Sequence, residues 1–344
     1  MKVLILYEGN NYGGDFGLSF ADGFRAHGCE VELLNRAETW HKPFDLVLAY
    51  GPFQQNTSML PVARQLLKQP HDRRPVFAWW LTEGVPSLWM PGWFVEVASR
   101  LRLAFDRVFL TSSRGGLWSR GHRLRIFGEL CWLHSHGVLD VLAVTSALRA
   151  TYLQRHGLAP IVVPLGYHPV FYGVDQGLER DIDVCFIGNI GSARRRRLLE
   201  KVKGDLDARG IRVSVQVNLY DDERTHFLNR TKIMLNILRA PQDFVGQRFL
   251  LGAANKTLVV SEPMKDSQPF EAGRHLVITP IDEFAETVAY YLSHEAERRT
   301  LVDEAYRFVT QELTITQMTG RILEHARERY ASRAARVDTS KEDK

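Results

Sequence analysis

Short apolar runs separated by polar, glycine-marked turns recur along the chain. In the first half they are Lys2–Tyr7, Val31–Leu34, Phe44–Tyr50, Pro75–Leu81 and Val141–Val144. Asp183–Ile187, Ile211–Val217, Lys232–Ile237 and Leu258–Val260 continue the series. Runs that are apolar on both faces predict buried parallel strands. Phe105–Thr111 reads as a further strand, with a loop over Ser112–Gly121. Between the runs, Phe16–His27 fits an amphipathic helix. Its Phe16, Phe20 and Phe24 share one face, and Gly28 stops it. Gln247–Asn255 is helix-compatible, and a helix starts near Ser192. Asp282–Leu292, Glu295–Thr310 and Thr316–Tyr330 close the chain as helices. Strands alternating with helices predict an α/β fold with parallel sheets.

The alternation is interrupted once. Ile161–Phe171 reads as a strand and then a hinge, punctuated by Pro164, Gly166, Pro169 and Gly173, and the pattern restarts at Asp183. A length of 344 residues also favours two domains. The expected organisation is residues 1–170, residues 171–315, a helix over 316–331 packing back on the first domain, and a disordered polar tail over 332–344.

Composition adds little. Apolar content of 45% and charged content of 24% are ordinary for a globular protein. A net charge of +4 leans toward anionic partners such as nucleotide diphosphates or a membrane surface. Cys29, Cys131 and Cys185 are far apart, which gives no disulfide framework or zinc spacing. No apolar run is long enough to span a bilayer. The expected compartment is the cytoplasm, with peripheral membrane contact through Arg100–Arg125, where arginines alternate with Trp118 and Phe127. A solvated basic face is the plainer reading of that segment.

Candidate chemistry sits where strands end, because ligands of open α/β sheets bind at the carboxyl ends of strands. Gly13 and Gly14 lie in a glycine-rich loop after the first strand, and serve equally as a tight turn. Glu83 follows the strand ending at Leu81; it is a candidate general base or a capping acid. Gly188 and Asn189 follow the strand ending at Ile187. Arg194–Arg197 then fall in the first turn of a helix, where cations oppose the macrodipole unless an anion is close by. Asn236 closes its own strand. Gly246 and Arg248 open the next helix, and suit a diphosphate through free N–H groups and a guanidinium. Glu262 leaves the strand over Leu258–Val260, with Pro263 fixing the chain just after it. It is a candidate acceptor for donor hydroxyls, of sugar or ribose, or a cap of the loop through Lys265 or the N–H groups near Phe270.

Taken together, the two-part α/β layout, Pro164–Phe171, Asp183–Asn189, Leu235–Ile237 and Arg248–Glu262 resemble GT-B-fold glycosyltransferases. The nearest likeness is to the bacterial branch related to spore-maturation glycosyltransferases. The likeness covers nearly the whole chain and is best from Asp181 to Glu324. It implies two Rossmann-like domains facing across a cleft, with the acceptor on the first and a nucleotide-diphosphate sugar on the second. The implied reaction needs neither metal nor cofactor, and no nucleic acid is expected as partner. In retaining relatives an acidic residue contacts the donor sugar, and a glutamate eight positions on holds the ribose. Here those positions are Asp243 and Leu251, and leucine cannot accept that bond. The family's small glycine before the next strand is Lys256, a candidate added charge for the diphosphate or, more plainly, a solvated loop lysine. A GT-B-shaped binding or scaffold protein without activity, and a nucleotide-sugar epimerase, are the competing readings. The donor, the acceptor and the stereochemical course are not encoded legibly.

Overall fold

The computed structural model describes residues 1–7, 11–51, 58–70, 72–82, 84–86, 90–109, 121–239 and 246–342, with backbone alone at 11–15, 106–109 and 334–342. The chain forms two compact units. Met1–Val163 and Met318–Lys344 make the first, and Pro164–Gln317 the second.

The first unit is built on a six-stranded parallel sheet in the order β2-β1-β3-β4-β5-β6. Its strands are β1 (Lys2–Tyr7), β2 (Glu30–Asn35), β3 (Leu46–Gly51), β4 (Val76–Leu81), β5 (Val141–Val144) and β6 (Pro160–Val162). Every residue of β3 and β4 is buried, as the doubly apolar runs require. Trp79 and Trp80 point to opposite faces, and each buried indole N–H still finds a carbonyl, at Gly51 (3.1 Å) and Val163 (2.9 Å). The helices are α1 (Asn11–Arg25), α2 (Leu60–Leu67), α3 (Gly92–Phe109), α4 (His122–Ser135) and α5 (Ala147–Gln154).

Three expectations change here. Helix α1 begins at Asn11, so Gly13 and Gly14 lie in its first turns and not in a loop before it. Two glycines cost a helix about 1 kcal/mol each. The buried stripe Phe16, Phe20 and Phe24 compensates by packing. Phe105–Phe109, expected as a strand, is the last part of α3. A short apolar run does not by itself distinguish strand from helix. What sets the helical period is Val95, Ser99 and Leu103, all buried at four-residue spacing. The rest of that expected strand, and residues 112–120 of the expected loop, lie outside the described residues. Finally, Arg125 and Phe127 do not belong to an outward basic surface. Both are buried, and Arg125 lies 4.0 Å from the buried Glu129. Burial raises the Glu129 pKa, against the bonds it accepts from Met59 N–H (2.8 Å) and the Ser58 hydroxyl (2.7 Å).

The second unit carries a five-stranded parallel sheet in the order β11-β10-β9-β7-β8. Its strands are β7 (Ile182–Ile187), β8 (Val213–Gln216), β9 (Thr231–Asn236), β10 (Leu258–Ser261) and β11 (Val277–Ile278). Its helices are α6 (Pro169–Tyr172), α7 (Ala193–Asp207), α8 (Asp221–Asn229), α9 (Gln247–Ala254), α10 (Phe284–Ser293) and α11 (Glu295–Arg307). Successive strands extend to one side of β7 and then to the other, so the topological switch point falls between β7 and β9. A polar network closes the amino edge of this sheet. Buried Asn229 donates to Val174 O, Thr225 O and Asn255 Oδ1 (each 2.9 Å). Asn255 donates to Tyr172 O and Leu251 O (2.8 Å each), and Arg180 donates to Thr231 O (2.6 Å) and Asn255 O (2.9 Å). Together they tie the segment entering the unit to the sheet.

The last helix, α12 (Ile315–Glu342), starts in the second unit and belongs to the first from Met318 onward. It continues past Tyr330, where the sequence pattern ends it. Arg333 gives the reason. Its guanidinium donates to Arg74 O (3.0 Å) and Pro75 O (3.1 Å) and pairs with Asp140, whose other oxygen accepts from Phe77 N–H (2.8 Å). Burial raises the Asp140 pKa, and Arg333 holds part of that rise down. Arg333→Met should therefore cost about 1–3 kcal/mol at neutral pH by leaving a half-buried carboxylate uncompensated. Without Arg333 the carboxyl pKa rises further. The deficit is then present above that raised pKa and fades as pH falls through it, because the neutral acid needs no counter-charge. Melting temperatures of both proteins across the acid range check the sign; a constant deficit would disprove it.

Candidate functional site

The carboxyl ends of β7, β9 and β10 meet at the switch point, and the side chains there form one bonded cluster. From β7, Gly188 turns the chain with φ +123°. Asn189 folds its side chain back to accept the Gly191 N–H (2.6 Å), and Ser192 caps α7. Two of the four arginines of that first turn, Arg194 and Arg195, fold onto the strand ends, while Arg196 and Arg197 are exposed. Arg195 is buried and donates to Ile237 O and Asn189 O, both 2.7 Å. Arg194 donates to Leu238 O (2.9 Å) and forks onto Glu262, at 2.9 Å to Oε1 and 2.5 Å to Oε2. The carboxylate holds the Arg194 pKa above its ordinary value.

Arg248 enters from the other side. Gly246 (φ +83°) caps α9 in the left-handed conformation and turns the chain into it, placing Arg248 in its first turn. The guanidinium donates to Ile187 O at the end of β7 (3.1 Å) and to Asn236 Oδ1 at the end of β9 (3.0 Å). It thus spans the two strands that flank the switch point. It also lies 5.1 Å from the Phe186 ring centroid. A Cβ on Gly188 would come within 2.8 Å of its Nη2, and the φ of +123° favours glycine whatever the space. Asn236 is fixed in turn by donating to the Ser261 hydroxyl (2.9 Å). Three guanidinium groups and one carboxylate thus meet on the same strand ends. A fixed surplus of positive charge at the carboxyl edge of a parallel sheet suits an anion.

Of the expected site residues, Gly188, Asn189, Asn236, Gly246, Arg248 and Glu262 come together in this cluster. Lys256 does not. It follows α9, which has by then crossed to the amino edge of the sheet. There Lys256 pairs with Asp175 (3.2 Å) and Asp303 (3.3 Å). Burial pulls its pKa down, but the two carboxylates outweigh that and hold it above the ordinary value. This replaces its expected place beside the diphosphate. Gly13 and Gly14 belong to the first unit, in α1. Glu83 and Asp243 lie outside the described residues. Arg194 and Arg195 were not among the expected site residues, although four consecutive arginines at a helix start are the signal that marks them.

Residues 188–324 match the family described as "Glycosyl transferase-like". The chain is similar in structure to HepE of Anabaena, solved with UDP and glucose. That match has a TM-score of 0.59 at 13% identity and covers 94% of this chain and 98% of HepE. Sucrose-phosphate synthase of Thermosynechococcus elongatus matches with a TM-score of 0.61 at 12% identity, covering 96% of this chain and all of the other. TarM matches with a TM-score of 0.55 at 7% identity over 82% of this chain, which spans only 54% of TarM's length. No curated protein sequence matches. Two parallel-sheet Rossmann-like halves of this kind are the GT-B fold. The family domain over residues 188–324 and the fold together support a glycosyltransferase.

The protein partners of Glu262 are Arg194 and the Leu238 N–H. It accepts the latter at 2.6 Å, where a cap through Lys265 or the N–H groups near Phe270 was the alternative to donor hydroxyls. The residue is 3% exposed, so removing its charge strands a guanidinium and a backbone N–H. Glu262→Ala should lower stability by about 2–3 kcal/mol. Denaturant unfolding measures this directly. An unchanged midpoint would show that the pair with Arg194 contributes nothing to the fold.

Proposed function

We propose that the chain transfers a sugar from a nucleotide-diphosphate sugar to an acceptor hydroxyl, and that the donor diphosphate sits at the switch point between β7 and β9. The observation that carries this is Arg248, bonded to the ends of both strands, with Arg194 and Arg195 on the facing helix and one carboxylate among them. The resemblance of the fold to HepE, solved with UDP and glucose, makes a uridine nucleotide the first donor to try. Within the glycosyltransferases, the order of its segments favours the branch related to spore-maturation enzymes.

The chemistry follows from charge. As the bond from sugar to diphosphate breaks, positive charge develops on the sugar ring and negative charge on the leaving group. Guanidiniums already fixed by carbonyls stabilise that growing charge without reorganising. The amino end of α9 lies at the same strand ends, where a helix dipole favours negative charge. Gly188 and Asn189 shape the floor, and Asn236 orients Arg248. Glu262 is a positioning residue through Arg194. Asp243 is proposed to contact the donor sugar. Glu83 is proposed as base if the configuration inverts, or as an acceptor contact if it is retained. Leu251 is buried and offers the ribose no acceptor side chain. The ribose contact is therefore assigned to another residue of this edge.

Arg248→Ala should weaken UDP binding by about ten- to a hundredfold while changing uridine binding little, because the lost bonds are to phosphate. Calorimetry with both ligands tests this, with the melting temperature as control. Equal losses for UDP and uridine would make Arg248 a purely structural residue. Release of free sugar from the donor by the wild-type chain separates a transferase from a scaffold, and an altered sugar still joined to its nucleotide would identify an epimerase.

A further inference from the structure

On the first unit, α3, α4 and the chain between α5 and β6 enclose a cavity of about 190 Å3 that the proposed reaction does not use. Cys131 lies near the end of α4, and His156 and Leu158 come just before β6. The cavity therefore sits by the amino ends of β5 and β6, whereas ligands of such sheets bind at the carboxyl ends. At about 30 Å3 per water it has room for roughly six waters, or for one small ring. Its inner wall is short of partners. Ser99 is 1% exposed, and its hydroxyl has no hydrogen-bond partner among the described residues. A serine inside a helix can bond back to the carbonyl one turn earlier, and Ser99 does not. Gly128 lets α4 come down on α3, since a Cβ there would lie 2.7 Å from the Ser99 carbonyl oxygen. Its bare backbone leaves the space beside Ser99 open. Tyr152, whose ring packs against Phe127 and His156 of the wall, also carries a buried hydroxyl without a partner among the described residues.

Two reactive readings fall away. Burial, with Glu96 adding to it, pushes the Cys131 thiol up to about 11, which keeps it protonated and a poor nucleophile. Among the described residues no three histidine, cysteine, aspartate or glutamate side chains are placed to hold a metal ion. What remains is a binding wall. Glu96 accepts from His156 Nδ1 (3.2 Å), which leaves Nε2 of the neutral ring as an acceptor. Arg100, one turn on from Glu96, is exposed and brings the opposite charge. Phe127 and Leu158 add apolar surface. The formal charges cancel, so neither a phosphate nor a cation is favoured. Donors and acceptors lie together over an apolar wall. A sugar ring answers both, because each hydroxyl donates and accepts and the C–H face of the ring is apolar. A zwitterionic amino acid would spend its charges on Glu96 and Arg100 at the solvent side, where such pairs contribute little, and would leave Ser99 unmet. We infer that this cavity binds one neutral hexose, with Ser99 and Glu96 as its hydrogen-bonding groups.

Cys131 reports occupancy. It is half-buried in the cavity wall, while Cys29 and Cys185 are buried. The test follows alkylation of Cys131 in the full chain by N-ethylmaleimide, read by peptide mass spectrometry, with D-glucose, D-galactose or D-mannose up to roughly 100 mM. Saturation-transfer NMR on the same sugars reads binding without the thiol. At least one hexose should bind saturably and slow the alkylation. Sucrose, with two rings, is too large for the cavity and controls for the general effect of sugars on the solution. Ser99→Ala should weaken hexose binding about fivefold, and Glu96→Gln about tenfold. Ser99→Ala removes an unbonded hydroxyl, so its melting temperature should hold or rise. UDP and Arg248→Ala should leave hexose binding unchanged, which keeps a failure here distinct from a failure of the donor site. Three results would overturn the inference. One is no saturable binding of any of the three hexoses by either measurement, as a cavity holding only water would give. Another is sucrose acting as the hexoses do. The third is hexose binding that both Ser99→Ala and Glu96→Gln retain in full.

Discussion

The carboxyl end of β9 is the point on which the second unit's carboxyl edge depends. Within three residues, Asn236 to Leu238, it offers a side-chain oxygen, two carbonyls and an N–H. Arg248, Arg195, Arg194 and Glu262 attach to these groups in turn. Helices α7 and α9 are thereby held at their amino ends to the same short length of chain. Buried guanidinium groups are tolerated only when their donors are satisfied. Here the peptide groups at the strand ends satisfy them. The carbonyls contribute dipoles but no charge, so the positive charges of Arg195 and Arg248 are fixed in place, while Arg194 is matched by Glu262.

The two edges of this sheet do different work. At the amino edge, Asn229, Asn255 and Arg180 pair with backbone groups, while Lys256 is matched by two carboxylates. That edge is balanced in charge and closed by the chain entering the unit. The carboxyl edge is unbalanced by design of its sequence, with one carboxylate among three arginines. Helix α9 joins them, carrying Arg248 in its first turn and delivering Asn255 to the opposite side.

The doubly apolar runs made the strands legible, because only a parallel sheet covered on both faces needs them. The ends of β7, β9 and β10 followed, and with them Gly188, Asn236, Arg248 and Glu262. What sequence could not resolve was which edge each residue occupies. Lys256 lies eight residues after Arg248, a distance that a helix spends crossing the sheet. The helical nature of Phe105–Phe109 was hidden for another reason. A run of apolar residues carries no period of its own, and the residues that set it, Val95, Ser99 and Leu103, lie upstream. The partner of Glu262 came from a separate segment, and no local pattern connects it to Arg194. The four arginines at the start of α7 were the readable anomaly, since nothing about an isolated helix favours cations there.

The cluster of guanidiniums also bears on how the chain behaves as a thermodynamic object. Like charges confined to one edge raise the free energy of the folded state through mutual repulsion, and the unfolded chain spreads them apart. A polyanion bound only by the folded state offsets that term and shifts the equilibrium by mass action, in proportion to the logarithm of its concentration over its dissociation constant. With the donor diphosphate held there as proposed, the apparent stability is not a constant of the sequence but is set jointly with the phosphate-bearing composition of the solution.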